Sequence, residues 1–91
     1  MLPLVRVDPE YPPRAKQQGI EGWVDVEFTI SPAGTVKDPK VLEAQPSYVF
    51  DQAALNAIRR WRYNPKIENG VAVARTGLQV RIRFEIPAGS R

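Results

Sequence analysis

Three stretches of the chain carry a regular hydrophobic pattern, and they do not share one period. From Trp23 to Ile30 the residues alternate, with Val24, Val26, Phe28 and Ile30 on one side and Trp23, Asp25, Glu27 and Thr29 on the other. Period two over eight residues predicts a half-buried strand. Ser31-Pro32-Ala33-Gly34 supplies turn chemistry, and Thr35 to Ala44 reads as the returning strand of a hairpin, with Val36 and Val41 to Leu42 as its inward contributions. Pro39 removes a backbone donor from that strand, which predicts an edge position or a bulge. From Phe50 to Trp61 the period becomes 3.6: Phe50, Ala54, Ala57, Ile58 and Trp61 form a stripe opposite Gln52, Asn56, Arg59 and Arg60. This predicts an amphipathic helix stopped by Asn64-Pro65, with Asp51 at its start and Arg59, Arg60 and Arg62 at its end complementing the helix dipole. The cleanest alternation comes last, with Leu78, Val80, Ile82, Phe84 and Ile86 inward and Gln79, Arg81, Arg83 and Glu85 outward, before Pro87.

Shorter signals fill the gaps. Tyr11-Pro12-Pro13 precedes Arg14 to Gln18, a helix of about one and a half turns closed by Gly19, too short to be stable unless docked. Asn69-Gly70 predicts a tight turn between Ile67-Glu68 and Val71 to Ala74. Val71 and Val73 have the opposite parity from the last strand, so a bulge is expected near Arg75-Thr76-Gly77. The predicted fold is α+β, a three-stranded antiparallel sheet with two helices packed on one face and the other face wet. An extended arm over residues 1–9, a domain over 10–87 and a flexible tail over 88–91 complete the expected organisation.

Composition narrows the chemistry. The 91 residues contain no Cys and no His, so thiolate nucleophiles, imidazole bases and the usual zinc and haem ligands are excluded. Asp25 and Glu27 share the wet face of one strand, where charge serves solubility, and do not make an acid/base pair. No Gly-rich phosphate loop or metal cluster is present, so no cofactor is expected and the chain does not read as an enzyme. No apolar run approaches the length of a membrane span, and the start lacks the pattern of a signal peptide, which places any targeting element upstream. The net charge of +3, from 13 basic and 10 acidic side chains, is a mild bias toward acidic partners. Arg59-Arg60-Trp61-Arg62-Tyr63 interleaves arginines with aromatics in the manner of nucleic-acid sites. A core Trp with flanking arginines at a helix C-terminus explains the same residues, and no nucleic-acid partner is expected.

The last strand is long, regular and free of Pro from residue 78 to 86. If it pairs on one side only, its other edge can accept an extended peptide through backbone hydrogen bonds, or be covered by the arm or by a second copy of the chain as an edge-strand homodimer.

The ordered series Tyr11-Pro12-Pro13-Arg14-Ala15, Gly19-Ile20-Glu21-Gly22, Ser31-Pro32-Ala33-Gly34-Thr35-Val36, Phe50-Asp51 through Ala57, and Arg60-Trp61-Arg62-Tyr63-Asn64-Pro65 closely resembles the TonB C-terminal domain. The resemblance runs from about Pro9 to Ile86. It implies a periplasmic domain of a single-pass inner-membrane protein that works with ExbB and ExbD, driven by the proton gradient, for uptake of iron chelates, haem or cobalamin. It further implies capture of the TonB box, a peptide extended by the plug of an outer-membrane transporter, as a strand added beside Gly77 to Ile86. On this carry-over the peptide-binding residues are Leu78, Gln79, Val80, Arg81, Ile82, Arg83 and Phe84, with Arg14 meeting acidic groups on the plug and Asp8 to Glu10 close to the box. Lys66 to Thr76 form a longer insert than some relatives have, and Asp8 and Glu10 add negative charge where some are neutral. The alternative from a different class is a peptidoglycan-binding domain using the arginines of the wet sheet face.

Overall fold

A computed structural model describes residues 2–87 of the chain; the tail expected at 88–91 lies outside the described residues. The elements run α1 (Pro13–Gln17), β1 (Gly22–Ile30), β2 (Val36–Gln45), α2 (Asp51–Ile58), β3 (Lys66–Glu68), β4 (Val71–Val73) and β5 (Arg75–Phe84). The fold is α+β: β2, β1 and β5 form an antiparallel sheet in that order, and β3 pairs with β4 in a separate two-stranded hairpin. Asn69 and Gly70 make the hairpin turn with φ of +50° and +78°.

Alternation along β1 sorts core from solvent. Val24, Val26, Phe28 and Ile30 are buried, as are Ile82 and Phe84 of β5, and Ala15 of α1 and Ala54 and Ile58 of α2 join the same cluster. Its aromatic centre is Phe84 stacked on Phe50 at 4.3 Å, with Tyr11 edge-on to both rings at 5.6 and 5.7 Å. Such ring pairs add stabilisation beyond the area they bury.

Three differences from the prediction bear on the packing. The helix ends at Ile58, a turn before Trp61, because the amides of Arg60 and Trp61 bond to the carbonyls of Ala57 and Ile58 in a tightened last turn. The chain then runs extended: Arg62 exchanges backbone bonds with Leu4 and Val5, and the Tyr63 amide donates to Gly34 O at 2.9 Å. Trp61 and Tyr63 are therefore buried by alternation and not by helical period. Arg59 and Arg60 lie beyond the helix, while Arg62 Nη1 caps the Trp61 carbonyl at 2.9 Å. Gly34 is fixed by this crossing, since a Cβ there would sit 2.2 Å from Tyr63 O and its φ is +82°.

The second difference is in β2. Bulges fall at Leu42 and at Asp38-Pro39, where Asp25↔Glu43 is followed by Val26↔Val41 and Glu27↔Lys40 by Thr29↔Lys37. Val36 and Val41 pack against the core, but Leu42 is 46% exposed because it is the extra residue of its bulge. The third is in β5, which begins at Arg75 and ends at Phe84. Its start contains the predicted bulge, since Phe28↔Leu78 is followed by Ile30↔Arg75, with Gly77 at φ +72° supplying the left-handed backbone. Its end is set by β1, whose first residue Gly22 pairs with Phe84; beyond it the Ile86 amide donates to Glu21 Oε2 at 2.6 Å.

Candidate functional site

Among the described residues β5 pairs with β1 alone, so one of its two backbone edges is open along the sheet. Its side chains divide by parity. Ile82 and Phe84 are buried, Leu78 and Val80 are half-buried over the core, and Gln79, Arg81 and Arg83 stand exposed on the opposite face. The structure thus gathers the seven residues from Leu78 to Phe84 on one uninterrupted stretch.

The other three candidates lie elsewhere. Arg14 is exposed on α1, beside the buried Ala15. Asp8 and Glu10 line a groove against the outer side of α2 with Gln52, Asn56 and Arg60. No hydrogen bond or ion pair joins these three to β5 among the described residues. The arm ahead of them is held by the Trp61 indole, which donates to Val7 O at 2.8 Å, and by Arg6, whose guanidinium lies 4.8 Å from the Trp61 ring centre.

Register assembles a polar cluster on the exposed face that parity alone does not reveal. Asp25 lies directly opposite Arg81 and Trp23 opposite Arg83. Arg81 makes a two-pronged bond to Asp25, Nε to Oδ1 at 2.8 Å and Nη2 to Oδ2 at 3.0 Å, and its guanidinium lies 3.8 Å from the centre of the Trp23 ring. The fork-to-fork geometry matches planar guanidinium to planar carboxylate. The hydrogen bond from Arg81 holds the Asp25 carboxyl below its ordinary value, and the same bond raises the Arg81 guanidinium. One rung away, Glu27 accepts from Gln79 Nε2 at 3.3 Å and pairs with Lys40 at 3.4 Å. Asp25 and Trp23 were legible only as solvent-face residues; the signal that would have promoted them is opposite charge on the outward positions of two strands.

The arrangement offers hydrogen-bonding edge and charge, and among the described residues no three His, Cys, Asp or Glu side chains are placed to hold a metal. No helix of the described residues is long and apolar enough to cross a membrane.

Comparison with known proteins gives one answer at the level of sequence and fold. The family profile of the Gram-negative bacterial TonB protein C-terminal matches residues 7–86. Protein TonB of Pseudomonas aeruginosa is 44% identical over 72 residues, 78% of this chain and 21% of that protein. Protein TonB of Escherichia coli K12 is 44% identical over 71 residues, 77% of this chain and 30% of that protein. The solution structure of the Pseudomonas aeruginosa TonB C-terminal domain superposes with a TM-score of 0.79 at 40% identity, covering 93% of this chain and 85% of that one. The TonB2 protein of Vibrio anguillarum gives a TM-score of 0.71 at 39% identity, covering 96% and 82%. The chain spans less than a third of the two curated relatives' length and belongs, over nearly all of its own, to the TonB C-terminal family.

Proposed function

We propose that this chain is the periplasmic docking module of a TonB-type energy transducer, and that it captures the TonB box of an outer-membrane transporter as a strand added to the open edge of β5. The observation that carries the proposal is that edge: a ten-residue strand, free of Pro, that among the described residues is paired on one side only. Ala15 of α1 and Ala54 and Ile58 of α2 join the cluster that holds Val24 and Ile82, which supports leaving the edge and the arginine-bearing face for a partner. An added strand supplies about four to six backbone bonds, each worth roughly 0.5–1.5 kcal/mol net, so affinity is modest and depends weakly on box sequence. Arg14, Asp8 and Glu10 meet the plug outside the added strand. A pull along paired strands loads several hydrogen bonds together, which suits a link that passes on energy from ExbB and ExbD for uptake of iron chelates, haem or cobalamin. The peptidoglycan alternative draws on both arginines of the exposed face, and Arg81 is already committed to Asp25.

Peptides with N-methyl groups at alternate positions test this reading by calorimetry. One methylation parity should abolish binding and the other leave it nearly intact, because hydrogen-bonding direction alternates along a strand. Equal binding by both parities would remove the strand-addition mode.

A further inference from the structure

Three rungs of side chains cross the exposed face from β2 through β1 to β5, and they end differently at the open edge. The first runs Lys40, Glu27, Gln79; the second Glu43, Asp25, Arg81; the third Gln45, Trp23, Arg83. On the first, both Lys40 and Gln79 reach Glu27, and the edge residue is neutral. On the second, the two-pronged bond to Asp25 neutralises Arg81 and the Trp23 ring covers its guanidinium face. On the third, the residue opposite Arg83 is an indole with no charge to offer.

Two other carboxylates flank Arg83, those of Glu21 and Glu85, which line the same hollow at the end of the sheet. Glu21 accepts from the Ile86 amide, and among the described residues no hydrogen bond or ion pair joins Arg83 to Glu21 or Glu85. Arg83 is exposed and makes no hydrogen bond or ion pair among the described residues. Together with the Arg81 bond, its charge helps hold the Asp25 carboxyl low, yet of the three side chains that border the edge on this face it is the cation held in no hydrogen bond or ion pair among the described residues.

Resting on the docking function proposed above, we infer that Arg83 is the specificity-determining residue of the edge, selecting an added strand that carries a carboxylate alongside it, while Arg81 stays committed to Asp25. A partner carboxylate that called on Arg81 would have to break an existing bidentate pair, and would lose there what it gained. One that calls on Arg83 breaks no such pair. On the opposite parity, half-buried Leu78 and Val80 leave apolar surface that aliphatic side chains of the added strand would cover. The selected segment therefore has aliphatic residues at alternate positions and one acidic residue of the other parity. In a strand parallel to β5 the acid follows the aliphatics; in an antiparallel one it precedes them.

Three synthetic peptides with one aliphatic pattern and Glu, Gln or Lys at the position level with Arg83 provide the test, titrated into the labelled domain at low salt. Binding should rank Glu, Gln, Lys, with steps of roughly two- to fivefold, the size expected of an exposed charge pair, and the ranking should shrink as salt is raised. Arg83→Gln should erase the ranking while keeping the affinity for the Gln peptide, and Arg83→Glu should invert it. Equal binding of all three peptides, or a ranking that survives Arg83→Gln, overturns the assignment of Arg83 while leaving strand addition standing. If no peptide shifts the β5 amides, the docking function itself fails, and the assignment with it.

Discussion

The two edges of the sheet face the same solvent and are built in opposite ways. β2 is ten residues long but bulged at Leu42 and at Asp38-Pro39, with Asp38 in the left-handed region at φ +51° and Lys37 and Lys40 along it. The bulges, Pro39 and the left-handed Asp38 break the even row of donors and acceptors that a further strand needs, the lysines add charge, and together they protect the edge from accidental pairing. β5 is also ten residues long, yet its single bulge is confined to its start and its ladder from Leu78 to Phe84 runs in unbroken register with β1. An open regular edge is a liability that the opposite strand shows this chain can avoid. Its retention on β5 is the physical ground for assigning docking to that side.

Detaching β5 from the core abolishes the difference between the two edges altogether. Phe84 is 2% exposed and stacked on Phe50, so Phe84→Ala should cost about 3–5 kcal/mol in chemical denaturation. For a domain this small that consumes most of its stability, and peptide binding should disappear with the fold.

Proline can make β5 resemble β2. Hydrogen-bonding direction alternates along the strand, so of Gln79→Pro and Val80→Pro one removes a ladder bond to β1 and the other only an outward donor. The first should lose about 1–3 kcal/mol, the cost of leaving its partner on β1 unsatisfied; the second should stay folded and lose peptide binding. Thermal melts and titrations of the pair separate the two, and equal behaviour would contradict a one-sided edge.

Removing the anchor of the N-terminal arm leaves both edges in place and serves as a control. Trp61→Phe keeps most of the buried ring but loses the bond to Val7 O, at a cost of roughly 1–2 kcal/mol. Faster amide exchange should follow in residues 4–7, with peptide affinity at β5 unchanged.

The smallest effect is the pH response of the cluster on the exposed face. Asp25 titrates below its ordinary 3.8 because it accepts from Arg81. A depressed folded value means that its stabilisation is complete above 3.8 and is lost as the pH falls through the folded value. Comparing acid unfolding of the wild type with Asp25→Asn should show a steeper loss in the wild type below pH 4, diminished by salt.

Much of this contrast was legible in the sequence, for identifiable reasons. Alternation over Trp23 to Ile30 and Leu78 to Phe84 survives because one face is buried and the other wet. Pro39 and Gly77 announced their bulges because each has a backbone requirement that few alternatives satisfy. What depended on partners in space was not legible. The stripe through Trp61 suggested a longer helix, since a buried residue in an extended segment can fall on the helical period by coincidence; pairing of Arg62 with Val5 decides the matter. The end of β5 is set by where β1 begins. Arg81 and Arg83 have the same type, parity and exposure, and only the register that puts Asp25 opposite one and Trp23 opposite the other distinguishes them.

The central claim is that the outer edge of β5 is the docking site, and backbone amide shifts during titration with a TonB-box peptide test it most directly. Shifts should concentrate at residues 78 to 84, with a smaller response at β1 and none along β2. Shifts centred on β2 or on the groove between α2 and Asp8, or a β5 edge that stays silent at millimolar peptide because a second copy of the chain already covers it, would contradict it.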